Sequence, residues 1–133
     1  MEGVRATFSK RERLVSQRLI EMLFGQSANK SLAAFPLRVV YHLRKRQEGD
    51  EPVQMLVSVP KKRFHHAVDR NRVKRQVREA YRHSKQRLYD TLPDDKAMIL
   101  AFIWLSDRHL PTADVGAKVS TLVDRLSECL RNG

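Results

Sequence analysis

Apolar positions recur with two different periods along this chain, and the switches between them mark its elements. Val15, Leu19, Met22 and Leu23 fall at i, i+4, i+7 and i+8, a single stripe of a helix. Ser9 followed three residues later by Glu12 has the form of a capping box, which predicts a helix start near Lys10, and Gly25 is a stop signal. From Leu37 to Arg46 the period drops to two. Leu37, Val39, Tyr41 and Leu43 face one way, while Arg38, Val40, His42, Arg44 and Arg46 face the other. That pattern describes a half-buried strand with a basic outer face. The polar run Gln47 to Pro52 is a turn and Val53 to Val59 a returning strand, together predicting an antiparallel hairpin.

Pro60 ends that strand, and Lys61 to Val68 reads as a basic connection. Asp69 is a natural N-cap for a helix running to about Tyr89. Pro93-Asp94-Asp95 breaks the chain before an apolar strand at about Lys96–Leu105, in which Trp104 is expected in the core. Pro111 and Thr112 open a last helix, with Val115, Val119, Leu122, Val123 and Leu126 at helical spacing and Cys129 as a small hydrophobe. The elements predict one α+β domain, a sandwich of order α-β-β-(β)-α-β-α with an optional third strand.

Composition narrows the class. The 133 residues include 26 Lys+Arg against 15 Asp+Glu, a net charge of +11. The 41% apolar content is too high for a disordered basic tail. One cysteine excludes a disulfide framework and a multi-cysteine zinc site. No run approaches the roughly 20 apolar residues of a membrane span, and residues 1–20 hold no apolar secretory core. The expected setting is the cytoplasm, with a polyanionic partner.

The charge is local. Residues 61–87 hold 11 basic and 2 acidic side chains, whereas residues 88–133 hold 5 and 7. Projected at about 100° per residue, Val73, Val77, Ala80, Tyr81, Ser84 and Leu88 share one helical face. Beside it runs a stripe of Asn71, Lys74, Arg75, Arg78, Arg82 and Lys85. The plain alternative is a solvated, salt-bridged face. Against it, the i,i+4 pairs Arg70–Lys74, Lys74–Arg78 and Arg78–Arg82 are like-charged, and Arg70 and Arg72 oppose the helix dipole. Phosphate oxygens along this face would relieve both penalties, and Arg suits them through bidentate bonding.

Between Phe64 and Arg78 the sequence resembles the bacterial ribonuclease P protein component: Arg70-Asn71-Arg72, then Lys74-Arg75, then Arg78. The Lys61-Lys62 lead-in, Ala67, and the early Arg11-Glu12-Arg13-Leu14 match as well. The resemblance implies a mixed sheet with helices packed on one face, of the ribosomal protein S5 domain 2 type. It also implies one RNA-binding domain over residues 1–133 with a flexible N-terminus at about 1–8. Such a protein binds ribonuclease P RNA and helps it remove the 5′ leader of precursor tRNA. The RNA holds the catalytic Mg²⁺ and performs the phosphodiester hydrolysis. On this likeness Lys61, Lys62, Arg63, Arg70, Asn71, Arg72, Lys74, Arg75 and Arg78 contact the catalytic RNA, and Arg82 extends their stripe. Arg70 lies near the core-facing edge of the wheel, so bracing the loop is open to it too.

The likeness further implies a leader cleft between the first helix and the open sheet face. Phe24 is its obvious aromatic candidate, with Arg38, Tyr41, His42 and Arg44 from the strand; which strand face lines the cleft stays open. His65-His66 depart from the Gly-Asn common at that place, and without a third ligand they read as loop residues rather than a metal site. No nucleophile constellation, P-loop or dinucleotide fingerprint is present, so no catalytic residue is assigned. A non-catalytic ribosomal or assembly RNA-binding protein is the alternative. Duplex DNA is not expected, since no second helix with a tight turn precedes the basic one.

Overall fold

A computed structural model describes residues 8–25 and 30–132. The expected flexible N-terminus therefore lies, apart from Phe8, outside the described residues. The chain runs α1 (Gln17–Gly25), β1 (Lys30–Ala34), β2 (Leu37–Lys45), β3 (Val53–Ser58), α2 (Ala67–Ser84), α3 (Gln86–Thr91), β4 (Lys96–Trp104) and α4 (Thr112–Asn132). The third strand before α2 is β1, which precedes the two strands read from the sequence instead of following them. One mixed sheet forms in the order β1-β2-β4-β3, antiparallel except for the parallel β3–β4 pair.

This order corrects the expected hairpin. The turn forms as read: Gly49 takes a φ of 86°, and Gln47 and Asp50 hydrogen-bond across it. Yet Val53–Ser58 pairs with β4 and not with β2. The reason is burial. Ala97 to Phe102 are all buried, whereas β2 and β3 each keep a partly exposed face, so the strand with two apolar faces takes the middle of the sheet.

The two sheet faces are covered unequally. Val39, Tyr41, Met55, Val57, Leu100, Phe102 and Trp104 meet Val73, Val77 and Tyr81 of α2, Leu88 of α3 and the predicted α4 stripe in one large core. The opposite face carries a smaller cluster of Leu14, Leu19, Leu23, Val40, Ile99 and Ala101, through which α1 packs on β2 and β4. Helices thus cover one face as expected, and α1 adds a partial cover to the other. Val40 marks the site of that cover, as the apolar residue on β2's otherwise basic side.

Three local expectations change. The capping box forms, with Ser9 N–H and Oγ both donating to Glu12 Oε1 at 3.2 Å, but it closes a single 3₁₀ turn at Lys10–Glu12. The chain then extends to Ser16, whose Oγ accepts the Leu19 N–H at 3.4 Å, and α1 starts there; Val15 drops out of the stripe and is 76% exposed. The basic helix is capped by His66 instead of Asp69, which lies in its first turn. It also ends at Ser84, whose Oγ donates back to the Ala80 carbonyl at 2.9 Å. Tyr89 belongs to α3. Among the described residues, no helix is long and apolar enough to cross a membrane.

Candidate nucleic-acid interface

Helix α2 buries Val73, Val77 and Tyr81, and this anchoring turns the adjacent stripe outward. Asn71, Arg72 and Arg75 are exposed, while Lys74, Arg78 and Arg82 are half-buried. Lys85 does not belong to the stripe. It turns inward, its side chain 2% exposed, and its Nζ meets Glu12 Oε2 at 2.5 Å.

The stripe is not a flat face. The segment ahead of α1 lies against it and closes a cleft of about 430 Å³ lined by Phe8, Arg13, Asn71, Arg75, Arg78, Glu79 and Arg82. Phe8 contacts Tyr81 edge-on at 5.9 Å, and the Arg13 guanidinium lies 5.8 Å from the Phe8 ring centre. Burial and the nearby Arg13 charge both lower the proton affinity of Arg78, which remains cationic. Among the described residues, Glu79 is the one carboxylate lining the cleft. Its bonds to Arg82, at 2.5 and 3.1 Å, and to His83, at 3.1 Å, lower its pKa to about 2. A second depression of about 290 Å³, lined by Arg72, Arg75, Gln76, Glu79 and Thr112, borders the same helix.

The loops that flank α2 are braced. Arg70 donates to the carbonyls of Phe64 and His65, both at 2.9 Å, so the wheel's indication of a bracing role describes its geometry. Phe64 stacks on His109 at 4.4 Å, His109 Nε2 meets Asp69 Oδ1 at 3.1 Å, and Gln76 donates to the Leu110 carbonyl at 3.1 Å. Arg63 pairs with Asp107 at 3.3 Å, whereas Lys61 and Lys62 are exposed. His65 and His66 are exposed too, and among the described residues no group of three His, Cys, Asp or Glu side chains is placed to hold a metal.

The second cationic surface is the sheet face under α1. Arg38 stands opposite Ile103 and His42 opposite Ile99, and Ile103 in turn faces Ser58 across the β4–β3 pair. The result is a partly apolar floor edged by Arg38, which reaches Ser31 Oγ at 3.3 Å, and by Arg44, which pairs with Asp50 at 3.2 Å. Phe24 on α1 is 48% exposed. Tyr41 is removed from this group: it points to the opposite face and is 5% exposed. Burial and its contact with Cys129 push its pKa up to about 12. Cys129, expected as a small hydrophobe of the last helix, is exposed.

Phe8 and Arg13 are the residues that sequence reasoning missed. Arg13 had one signal, its place in Arg11-Glu12-Arg13-Leu14; Phe8 had none, because its role comes from a contact with Tyr81.

Comparison with known proteins follows the same lines. Residues 8–126 match the family model described as Ribonuclease P. The chain is 48% identical over 105 residues to the ribonuclease P protein component of Porphyromonas gingivalis (strain ATCC 33277), covering 77% of this chain and 74% of that one. It is 43% identical over 89 residues to that of Chlorobium phaeobacteroides, covering 65% and 58%. Among solved structures, the RNase P protein of Thermotoga maritima superposes with a TM-score of 0.62 at 26% identity, covering 86% of this chain and 96% of that one. That of Staphylococcus aureus, at 18% identity and a TM-score of 0.65 over 86% and 94%, shares the fold.

Proposed function

Because the chain belongs to the ribonuclease P protein component family, we propose that it binds the catalytic RNA along α2 and the 5′ leader of precursor tRNA on the open sheet face. The observation that carries the first half is the run of Asn71, Arg75 and Arg78 along a cleft whose one lining carboxylate is already paired. Such a cleft attracts phosphate more than it attracts any neutral partner. Lys61 and Lys62 add exposed cations beside it, and Arg72 and Lys74 widen the contact.

The leader surface consists of Arg38, His42, Arg44 and Phe24, without Tyr41. An extended single strand suits it, since phosphates meet Arg38 and bases meet apolar floor and ring. The chemistry is assigned to the RNA. Its phosphates supply the hard oxygen ligands Mg²⁺ prefers, and this chain's part is to hold both RNAs in register.

The test is reconstitution: bacterial ribonuclease P RNA with precursor tRNA at low Mg²⁺, with and without the chain. Faster 5′ leader removal with the chain is the expected outcome. Binding without any gain in cleavage would instead indicate an RNA-binding module of the ribosomal or assembly type.

A further inference from the structure

We propose that Arg13 joins Arg78 in clasping one RNA phosphodiester in the α2 cleft, and that buried Glu12 is the positioning residue that keeps Arg13 there. This rests on the ribonuclease P reading and adds to it a subsite formed by the chain ahead of α1.

The segment Arg11-Glu12-Arg13-Leu14 sends its four side chains in different directions. Arg11 pairs with Glu51 at 3.0 Å and bonds the Gly49 carbonyl at 3.2 Å. Leu14 enters the smaller core, and its N–H donates to the Met55 carbonyl at 3.0 Å. Glu12 turns inward, accepting from Lys85 Nζ at 2.5 Å and Tyr89 Oη at 3.0 Å through one oxygen, and from Ser9 through the other. Arg13 is left facing α2.

A buried ion pair is a poor source of net stability, because desolvation offsets its attraction. What this pair does supply is register. Glu12 and Lys85 are 73 residues apart, and their directional bond, beside the Leu14–Met55 backbone bond, fixes how the segment lies against the end of α2. With Glu12 pinned, Arg13 is held over Phe8 and lines the same cleft as Arg78, whose charge it opposes. Among the described residues neither makes an ion pair, since Glu79 is engaged by Arg82 and His83. Two guanidinium groups lining one cleft, with no counter-ion among the described residues, form half of an anion site. A phosphate between them turns the repulsion into two charge-assisted contacts, with Asn71 lining the same cleft.

The experiment measures equilibrium binding of the full chain to ribonuclease P RNA over a salt series, beside the low-Mg²⁺ cleavage assay. Arg13→Ala is expected to weaken binding about tenfold, the worth of a hydrogen bond to a charged group. It should also flatten the salt dependence by about one released counter-ion. Arg13→Lys should restore the salt slope. Glu12→Gln should reproduce the loss, and Arg13→Ala made in that background should add nothing. Should Glu12→Gln fail to fold, Tyr89→Phe takes its place in the cycle. An unchanged salt slope in Arg13→Ala, with wild type binding and active, overturns this inference alone, as do additive effects of the two substitutions. A wild-type chain that binds no ribonuclease P RNA overturns the functional reading and this inference with it.

Discussion

Glu79 sits among the cations of the cleft proposed to take RNA. Its lowered pKa means that its ion pair contributes fully above the ordinary value of 4.5 and is lost as pH falls from there towards about 2. At neutral pH it is a fixed negative charge that holds Arg82 and His83. Glu79→Gln is therefore expected to tighten RNA binding a few-fold and steepen its salt dependence, with little change in Tm because the pair is solvent-exposed. Filter binding at two or more salt concentrations reads the effect. The joint substitution of Lys74, Arg75 and Arg78 with Ala is expected to do the opposite. Up to three lost phosphate contacts flatten the logarithmic salt slope by about 2–3, with Tm held or raised as the like-charged pairs disappear. Unfolding of that variant, followed by circular dichroism, would make these residues structural and sink the assignment.

At the scale of elements, the periods were legible and the punctuation less so. The stripe of α4 and the alternation of β2 are local consequences of side chains pointing every 3.6 or two residues; the first is buried as read, while in β2 Val40 is buried and Leu43 is 38% exposed against the alternation. The ends of α1 and α2 depend on competing side-chain bonds. Ser9–Glu12 satisfied the rule for a helix start, yet Ser16 provides the N-cap that α1 uses. Ser16→Ala should then cost about 1 kcal/mol, measured by urea unfolding. An equal loss of α-helical signal on Ser9→Ala would contradict this. The end of α2 at Ser84 is the corresponding case: the wheel places Lys85 in the basic stripe, yet its bond to Glu12 and its burial take it out.

For the whole molecule, the division of the sheet into a buried and an open face separates core residues from those proposed to meet the leader. Tyr41 and His42 are adjacent in the chain and serve opposite faces. Tyr41→Phe is expected to leave leader affinity unchanged, while Arg38→Ala lowers it several-fold with the mature tRNA contribution intact. Precursor tRNAs with and without a leader, bound to the reconstituted holoenzyme, separate the two cases. A loss with Tyr41→Phe equal to that of Arg38→Ala would place the leader elsewhere.

What the sequence by itself determined was local: where the charge lies, which residues share a strand or helix face, and the family motif on α2. Those follow from backbone geometry and spacing, which a chain carries wherever it folds. Only the tertiary structure decided which elements adjoin. It placed β4 between β2 and β3, turned Tyr41 into the core, and brought Phe8 and Arg13 against α2. The physical reason is that burial and pairing are settled between residues far apart, such as Glu12 and Lys85, whose separation leaves no periodic trace in the sequence.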